Sequence, residues 1–270
     1  MLASTHAFLH LVINLPSSSQ RRTEVLEQAH KLNLSPQFVD GEIFDETKQY
    51  LGVCDKKRRS KFTSRPIGRG EHGCLVSHLK ALDLFLQSDY EYCVICEDDV
   101  NFEESFLDDV QYVISHTQGW DILKLYNEGN KFTTILPLPD IDKEISIAKK
   151  ISWGALCNLY TRKAAETILK ASKTYVYTWD PHLLNVAINH DLVFGNVFPN
   201  LIHPNEHNDH STIAEMNAQP MPQVVATVED SNADWKIYWL GRFKVWHHSF
   251  GKWTMQRRLQ RHVRLSNGAK

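Results

Sequence analysis

The chain has 270 residues and a mass of 31.2 kDa, and with 42% hydrophobic and 23% charged residues it can bury a substantial core. This composition excludes disordered, collagen-like and mini-protein classes. Thirty Lys and Arg residues against 32 Asp and Glu residues give a formal net charge of −2. The chain as a whole therefore lacks the basic excess that is typical of nucleic-acid-binding proteins.

The C-terminal part of the chain differs in charge from the rest. Residues 235–270 contain nine basic residues and no acidic one, whereas residues 1–234 contain 21 basic and 32 acidic residues. Four of the seven tryptophans also lie in 235–270. Basic residues interleaved with aromatic ones are typical of segments that bind an anionic membrane surface. We therefore expect a body over 1–234 and a membrane-surface tail over 235–270, with packing of some aromatic rings on the body as the alternative.

The sequence predicts a cytoplasmic protein with reduced thiols. No stretch approaches the roughly 18 to 20 apolar residues of a membrane-spanning helix. The apolar run from Ala7 to Leu15 lacks the preceding basic region and the cleavage site of a secretory signal. The five cysteines are an odd, sparse set, and Cys93 and Cys96 lie in a β-prone run, so we expect buried structural thiols.

Apolar patterning predicts that the chain opens with a strand and a helix. An apolar run over 8–15 predicts a buried strand, and the serines at 17–19 are N-cap candidates for a helix that reaches Leu32. A short strand over Gln37–Asp40 follows. We interpret the polar stretch over 42–69 as a loop with a short helix.

The rest of the body continues the alternation of helices and strands. Leucines from Leu75 to Leu86 recur at spacings of four, three and four, which predicts an amphipathic helix over 70–88. The further predicted elements are a strand over 92–96, a helix over 103–116, strands over 121–125 and 155–160, a helix capped by Thr161, a helix opened by Asp180 and Pro181, and a strand over 192–198. This alternation predicts an α/β sheet packed on both faces.

Three consecutive acidic residues, Glu97, Asp98 and Asp99, directly follow the predicted strand over 92–96. Residues i and i+2 of an extended segment point the same way, so Glu97 and Asp99 are expected to project together from the strand's C-terminal end. That is where α/β proteins place ligand sites. Clustered carboxylates repel one another unless a cation lies between them, and their hard oxygens suit Mg²⁺ or Mn²⁺. A solvated acidic turn is the alternative for the three residues taken alone.

Four short motifs occur in order along the first part of the chain. They are Val12-Ile-Asn-Leu15 with Arg21-Arg22, Val39-Asp-Gly41, Gly70-Glu-His-Gly-Cys74 with Ser77-His78, and Ile95-Cys-Glu-Asp-Asp-Val100. Together they resemble the ordered motifs of glycosyltransferase family 25, which includes bacterial lipooligosaccharide galactosyltransferases and collagen galactosyltransferases. The clear similarity covers about residues 8 to 100, and a weaker one runs from Trp179-Asp-Pro181 to Ser211-Thr-Ile213.

The resemblance implies an α/β fold of the GT-A type, in which a Rossmann-type sheet flanked by helices binds a nucleotide sugar. It also implies inverting transfer from a UDP donor and a divalent metal, Mn²⁺ or Mg²⁺, held by Glu97 and Asp99. The acidic motif here begins with Glu97 rather than Asp, which lengthens one ligand arm without changing its oxygen chemistry. The opening motif departs from the family's usual pattern, because Pro16 and three serines follow the Asn-Leu pair.

Donor-binding candidates come from these motifs and from their predicted positions. Asn14 ends the first strand, where its amide can recognise a uracil or ribose edge. Arg21 or Arg22 can pair with phosphate. Asp98 is assigned to the donor as well, and Asp40 can hydrogen-bond a hydroxyl group. The alternatives are solvated arginines on a helix surface and a turn-forming aspartate.

Glu71 and His78 are also assigned to the donor site. They lie seven residues apart on the predicted helix, so they fall on one side of it, about 10 Å apart along the axis. Both belong to motifs of the family, which favours a shared functional wall. A capping Glu71 and a partly buried helical His78 are the alternative.

Inverting transfer needs a general base that takes the proton of the acceptor hydroxyl. Asp180 is the leading candidate, and Glu206 and Asp209 are the others; an N-cap role is the alternative for Asp180. A group of histidines beyond the last predicted strand can add a metal ligand, for which we select His207 from His203, His207 and His210. A solvated acceptor-binding loop is the alternative for this group.

We therefore expect a catalytic domain over 1–234 that acts as a metal-dependent, inverting β-1,4-galactosyltransferase. It would move galactose from UDP-galactose to a terminal sugar of lipooligosaccharide, at the anionic surface of the cytoplasmic face of the inner membrane. UDP-glucose is the closest alternative donor. A metal-dependent phosphohydrolase or nucleotidyltransferase and a non-catalytic carbohydrate-binding protein are the rival classes.

Overall fold

A computed structural model describes residues 7–60, 65–128, 132–148, 155–205 and 253–266. The strands in this part of the chain are β1 (Leu9–Asn14), β2 (Gln37–Asp40), β3 (Val53–Cys54), β4 (Tyr92–Glu97), β5 (Val100–Phe102), β6 (Thr117–Gln118), β7 (Ile122–Lys124), β8 (Phe132–Leu138), β9 (Lys143–Ala148), β10 (Cys157–Thr161), β11 (Thr174–Tyr175), β12 (Phe194–Phe198), β13 (Ile202–Pro204) and β14 (Arg264–Leu265). The helices are α1 (Ser19–Lys31), α2 (Lys56–Ser60), α3 (Arg69–Leu86), α4 (Phe106–His116), α5 (Arg162–Ala171) and α6 (Trp179–Asn189), with a 3₁₀ turn at Pro139–Ile141 and a further helical segment over 253–262.

Eight strands form one mixed sheet with the order β2-β1-β4-β10-β7-β12-β9-β8. The strands β2, β1 and β4 are parallel neighbours, and β12 is parallel to β7. Strand β10 runs antiparallel to both β4 and β7, and it therefore joins the two parallel groups. The parallel group β2-β1-β4 brings the C-terminal ends of its three strands to one edge of the sheet.

Helices cover both faces of the sheet. Alternation along β4 places Ile95 and Glu97 on one face and Cys96 on the other. Helix α3 packs on the Glu97 face together with α5 and α6. On the opposite face, His10 of β1 lies against Phe106 of α4, with ring centroids 5.7 Å apart. Because both faces are covered, β1 and β4 are almost continuously apolar.

The predicted α/β class with helices on both faces is confirmed, as are most of the predicted elements. Helix α3 (Arg69–Leu86) corresponds to the helix predicted over 70–88. Thr161 caps α5, as predicted, by accepting a hydrogen bond from the backbone N–H of Ala164 over 3.2 Å. The N-cap role suggested for Asp180 is wrong: the N-cap of α6 is Thr178, and Asp180 lies in the first turn. The hairpin of β8 and β9 was not predicted.

The last described segment packs on the body of the protein. Residues 253–262 are helical, and Met255 and Leu259 are fully buried in the hydrophobic core. Strand β14 then pairs with β6. Residues 235–252 of the predicted membrane-surface tail lie outside the described residues. Among the residues that are described, no helix combines the length and the apolar composition needed to cross a bilayer.

Candidate functional site

The three acidic residues lie at the edge of the sheet where β1, β2 and β4 end. Strand β4 ends at Glu97, and Asp98 and Asp99 form a bend before β5 begins. We expected Glu97 and Asp99 to project together as residues i and i+2 of one strand. Because the strand ends at Glu97, strand geometry does not set the direction of the Asp99 side chain. The two carboxylates are nevertheless close enough for the charge of Glu97 to affect Asp99.

Asp98 is held by two side chains from the first strand and helix. Asn14 donates its Nδ2 hydrogen to Asp98 Oδ2 over 2.7 Å, and Arg21 Nη1 lies 3.1 Å from Asp98 Oδ1. Burial raises the pKa of Asp98, and the hydrogen bonds from Asn14 and Arg21 oppose that shift. Asn14 and Arg21, which were both predicted to bind the nucleotide-sugar donor, thus hold the carboxylate of Asp98 in place.

Asp99 is the acidic residue with an unsatisfied oxygen. Its Oδ1 atom is buried and has no hydrogen-bond partner among the described residues. Burial, followed by the charges of Glu97 and Asp98, raises the pKa of Asp99 to about 7. A carboxylate in this environment gains more from a bound cation than a solvated one does.

Glu97 lies beside two side chains of α3. Its Oε1 atom is 3.2 Å from His78 Nε2 and 3.7 Å from Cys74 Sγ. The His78 ring is 1% exposed and stacks on Trp179 with ring centroids 4.6 Å apart and an angle of 9° between the planes. The helix predicted from leucine spacing therefore carries His78 directly to the acidic motif.

Asp180 and Lys124 belong to the same region. Lys124 ends β7 and is in register with Asn158 of β10. Asn158 is also in register with Ile95 of β4, so the three residues form one row across the sheet. Burial lowers the pKa of the Lys124 ammonium, and the negative charges of Asp180, Glu128 and Glu97 oppose that shift. Asp180 thus lies within electrostatic range of a buried cation on the face of the sheet that carries Glu97.

Three other predicted donor residues have different surroundings. The Arg22 guanidinium lies 4.2 Å from the centroid of the Phe38 ring, away from Asp98. Asp40 ends β2 in register with Asn14, and its side chain is exposed. Glu71 accepts a hydrogen bond from the backbone N–H of Gly68 over 2.8 Å and pairs with Arg65, so it makes the capping contact that we gave as its alternative role. Donor roles for these residues stay predictions.

The remaining predicted residues lie in or near the part of the chain that is not described. Glu206, His207, Asp209 and His210 are outside the described residues. His203 is described: it lies on β13, where its Nε2 is 2.7 Å from Glu103 Oε1. Strand β13 pairs with β5, which follows Asp99 directly. The chain therefore returns beside the acidic motif just before the residues that carry these predictions.

No disulfide bond joins the five cysteines, all of which lie in the described part of the chain. Cys93, Cys96 and Cys157 are buried, whereas Cys54 and Cys74 are only partly buried. Cys93 and Cys96 point to opposite faces of β4, and Cys96 instead faces Cys157 of β10 with 2.7 Å between the sulfur atoms. A dithiol role for the Cys93–Cys96 pair is therefore excluded by strand alternation.

Sequence reasoning missed Cys74, Lys124 and Asn158 as members of this site. Cys74 was noted in a motif, but its approach to Glu97 depends on the packing of α3 against β4. Lys124 and Asn158 each lie inside an apolar run, where a single polar residue gives no periodic signal. Both amide atoms of Asn158 are buried without a hydrogen-bond partner among the described residues, which is a signal that only the structure provides.

Comparison with known proteins identifies one family. Residues 8–183 match the family model for "Glycosyltransferase family 25 (LPS biosynthesis protein)". A candidate glycosyltransferase of Haemophilus influenzae is 29% identical over 127 residues, which are 45% of this chain and 42% of that protein. A glycosyltransferase 25 family member of Anopheles gambiae is 28% identical over 130 residues, which are 45% of this chain and 22% of that protein.

A human relative and a solved structure complete the comparison. Procollagen galactosyltransferase 2 of Homo sapiens is 30% identical over 101 residues, which are 35% of this chain and 16% of that protein. The matched regions thus span less than half the length of each of these relatives. The inositol-1-phosphate CTP transferase from T. maritima aligns with a TM-score of 0.36 and 11% identity over 78% of this chain and 96% of that one. At this TM-score the structural similarity adds nothing to the assignment.

Proposed function

Because this chain belongs to glycosyltransferase family 25, we propose that it transfers galactose from UDP-galactose to a terminal sugar of lipooligosaccharide, with inversion and formation of a β-1,4 linkage. The observation that carries this proposal is the geometry of the family's acidic motif, in which Asn14 and Arg21 hold Asp98 while Glu97 and Asp99 remain at the edge of the sheet. The family description, which names lipopolysaccharide biosynthesis, supports the acceptor class. The name of the human relative supports galactose as the donor sugar, and UDP-glucose is the alternative.

Mn²⁺ or Mg²⁺ is the proposed cofactor, and the residues present fit a hard cation. The buried, unpartnered Oδ1 of Asp99 is an acceptor-only atom among other carboxylates, within the residues that the structure describes. Glu97 and Asp99 would hold the ion. When bound, the ion would offset the negative charge that develops on the leaving diphosphate.

Asp180 is the proposed general base that accepts the proton of the acceptor hydroxyl. Thr178 is the N-cap of α6, and Asp180 lies in the first turn of that helix. Burial lowers the pKa of the Lys124 ammonium, and Asp180 is the first of the negative charges that oppose this shift, so the two groups interact in the folded protein. Glu206 and Asp209 remain the other candidates.

Peripheral binding to an anionic membrane is proposed for the basic tail. In its described part, Arg257, Arg261 and Arg264 are exposed, whereas Arg258 contacts the end of α6. Each exposed charge near an anionic surface contributes about 1 kcal/mol to binding. Charge reversal at these three exposed arginines should weaken binding to anionic vesicles in a salt-dependent way, and equal binding by wild type and variant would reject the membrane role.

Release of UDP separates the proposed function from its rivals. We expect UDP-galactose to be consumed in the presence of Mn²⁺, at a rate that rises sharply when an oligosaccharide acceptor is added. A phosphohydrolase would release product without the acceptor, and a carbohydrate-binding protein would release none. The same assay with UDP-glucose, followed by linkage analysis of the product, decides between the two donors and tests the β-1,4 linkage.

A further inference from the structure

A thiol, an imidazole and a carboxylate converge between α3 and the end of β4. Cys74 and His78 lie four residues apart on α3, so their side chains lie on the same side of the helix. Both approach the same oxygen of Glu97, at 3.7 Å from Cys74 Sγ and 3.2 Å from His78 Nε2. One ligand atom from each of the three residues lies within 4.8 Å of the other two.

The two separations from Glu97 resemble those between ligand atoms of a tetrahedral zinc ion, and the third lies within 4.8 Å. Zinc bonds of about 2.3 Å to sulfur and about 2.0 to 2.2 Å to nitrogen and oxygen place tetrahedral ligand atoms about 3.3 to 3.6 Å apart. The observed 3.7 Å and 3.2 Å differ from that range by only a few tenths of an ångström. A mixed set of sulfur, nitrogen and oxygen donors suits zinc, whereas Mg²⁺ prefers oxygen alone.

We propose that Cys74, His78 and Glu97 form a binding site for a thiophilic divalent cation such as Zn²⁺, with the fourth position open. The ring of His78 is held in place by its stacking on Trp179. Binding releases the thiol proton of Cys74 to solvent. The hydrogen that His78 Nε2 donates to Glu97 in the metal-free protein is exchanged for one on Nδ1, so that the lone pair of Nε2 faces the cation. Among the described residues Nδ1 has no hydrogen-bond partner, so no contact there opposes this tautomer.

The proposed zinc site shares Glu97 with the proposed site for Mn²⁺ or Mg²⁺. An ion held by Cys74 and His78 would take Glu97 away from Asp99, so Zn²⁺ would inhibit sugar transfer. This consequence rests on the proposed function, but the existence of the zinc site does not. The test therefore measures binding of the metal itself.

Titration with Co²⁺, a spectroscopic substitute for Zn²⁺, tests the site. We expect one equivalent to produce the ultraviolet charge-transfer absorption of a thiolate bound to cobalt, and Zn²⁺ to remove it. Cys74→Ser should abolish this absorption, while Cys54→Ser, which changes another partly buried cysteine, should retain it. The site is disproved if wild type gives no thiolate band or if Cys74→Ser keeps it.

Two further variants distinguish loss of a ligand from loss of the fold. Glu97→Gln keeps the shape of the side chain, and we expect it to weaken Zn²⁺ affinity at least tenfold in competition with a coloured chelator. Asp99→Asn should leave the thiolate band unchanged, because Asp99 is not a ligand of this site. Failure of sugar transfer with an intact band would reject the proposed function alone, and unchanged Zn²⁺ affinity in Glu97→Gln would reject the proposed zinc site alone.

Discussion

Asn14 donates its side-chain amide to Asp98 over 2.7 Å, joining residues 84 positions apart in the chain. Strands β1 and β4 are parallel neighbours in which Ile13 is in register with Glu97. Asn14 and Asp98, which follow these two residues, therefore lie at the same edge of the sheet. Arg21, from the first turn of α1, contacts the other oxygen of Asp98. The first strand and helix thereby orient the acidic motif, and Asp98 has an anchoring role that differs from those of its two neighbours.

Replacement of Arg21 tests this anchor. Arg21→Ala removes a charge-assisted hydrogen bond to a largely buried carboxylate, and we expect a loss of about 1–3 kcal/mol in the free energy of unfolding. We also expect kcat/KM for the UDP-sugar to fall at least tenfold. Arg22→Ala is the matched control, because Arg22 is exposed over Phe38. Urea denaturation and steady-state kinetics measure both effects, and equal effects of the two changes would contradict the anchoring role.

Asp180 should act at the chemical step. Asp180→Asn keeps the shape of the side chain but removes the base, so kcat should fall by about 10² to 10⁴ with little change in affinity for UDP. Asp180 is also the first of the negative charges that act on the buried Lys124 ammonium, so the variant should unfold at a lower temperature than wild type, and turnover is compared where both proteins are folded. Turnover near the wild-type level would transfer the base role to Glu206 or Asp209.

His182 should make stability depend on pH. Burial lowers its pKa from 6.5 to about 4, and Nε2 lies 2.7 Å from Ser172 Oγ. The folded protein binds fewer protons than the unfolded chain between these two values, so stability falls as pH falls from 6.5 towards 4. Through His182 alone, the free energy of unfolding should fall by about 2 kcal/mol when the pH is lowered from 7.5 to 5.

Urea denaturation at the two pH values measures the contribution of His182. His182→Gln keeps a neutral donor for Ser172, and its stability should fall by less than that of wild type over the same interval. His30→Gln, a change at an exposed histidine of α1, is the control and should behave as wild type does. An unchanged pH dependence in His182→Gln would contradict the account.

Arg258 should stabilise the fold. It donates to the backbone oxygens of Ala187 and Ile188 at the C-terminal end of α6, over 3.2 and 3.3 Å, and it pairs with Asp191. Arg258→Ala leaves these carbonyls without their cation and should lower the free energy of unfolding by about 1–2 kcal/mol. Arg261→Ala, at an exposed position of the same helical segment, should change it by less than about 0.5 kcal/mol. Equal stabilities of the two variants in urea would contradict this role.

The fold was largely predictable because its central elements have strong apolar patterns. Strand β2 lies over the predicted residues, and three of the leucines whose spacing predicted α3 are buried. The β8–β9 hairpin escaped prediction because β8 is an edge strand that contains Pro137 and is only partly buried. Its sequence therefore lacks the alternation that identifies a half-buried strand.

Several residues of the candidate site were predictable, but their pairings were not. Motifs indicated Asn14, Arg21 and the acidic residues, yet only the structure shows that the first two bind Asp98, Asn14 through the parallel register of β1 and β4 and Arg21 from α1. Long-range contacts such as that of Cys74 with Glu97 depend on how a helix packs, which sequence spacing does not determine. Lys124 was missed because a single lysine inside an apolar run gives no periodic signal.

Product formation by wild type and by Asp99→Asn is the most direct test of the central claim, that this chain is a sugar transferase whose acidic motif holds a divalent metal. With UDP-galactose, an oligosaccharide acceptor and Mn²⁺, wild type should form a galactosylated product, and a chelator should abolish it. Asp99→Asn should be inactive at limiting Mn²⁺, whereas Asp108→Asn, at an exposed position of α4, should be active. Full activity of Asp99→Asn at limiting Mn²⁺, or a chelator-resistant wild type, would contradict the account.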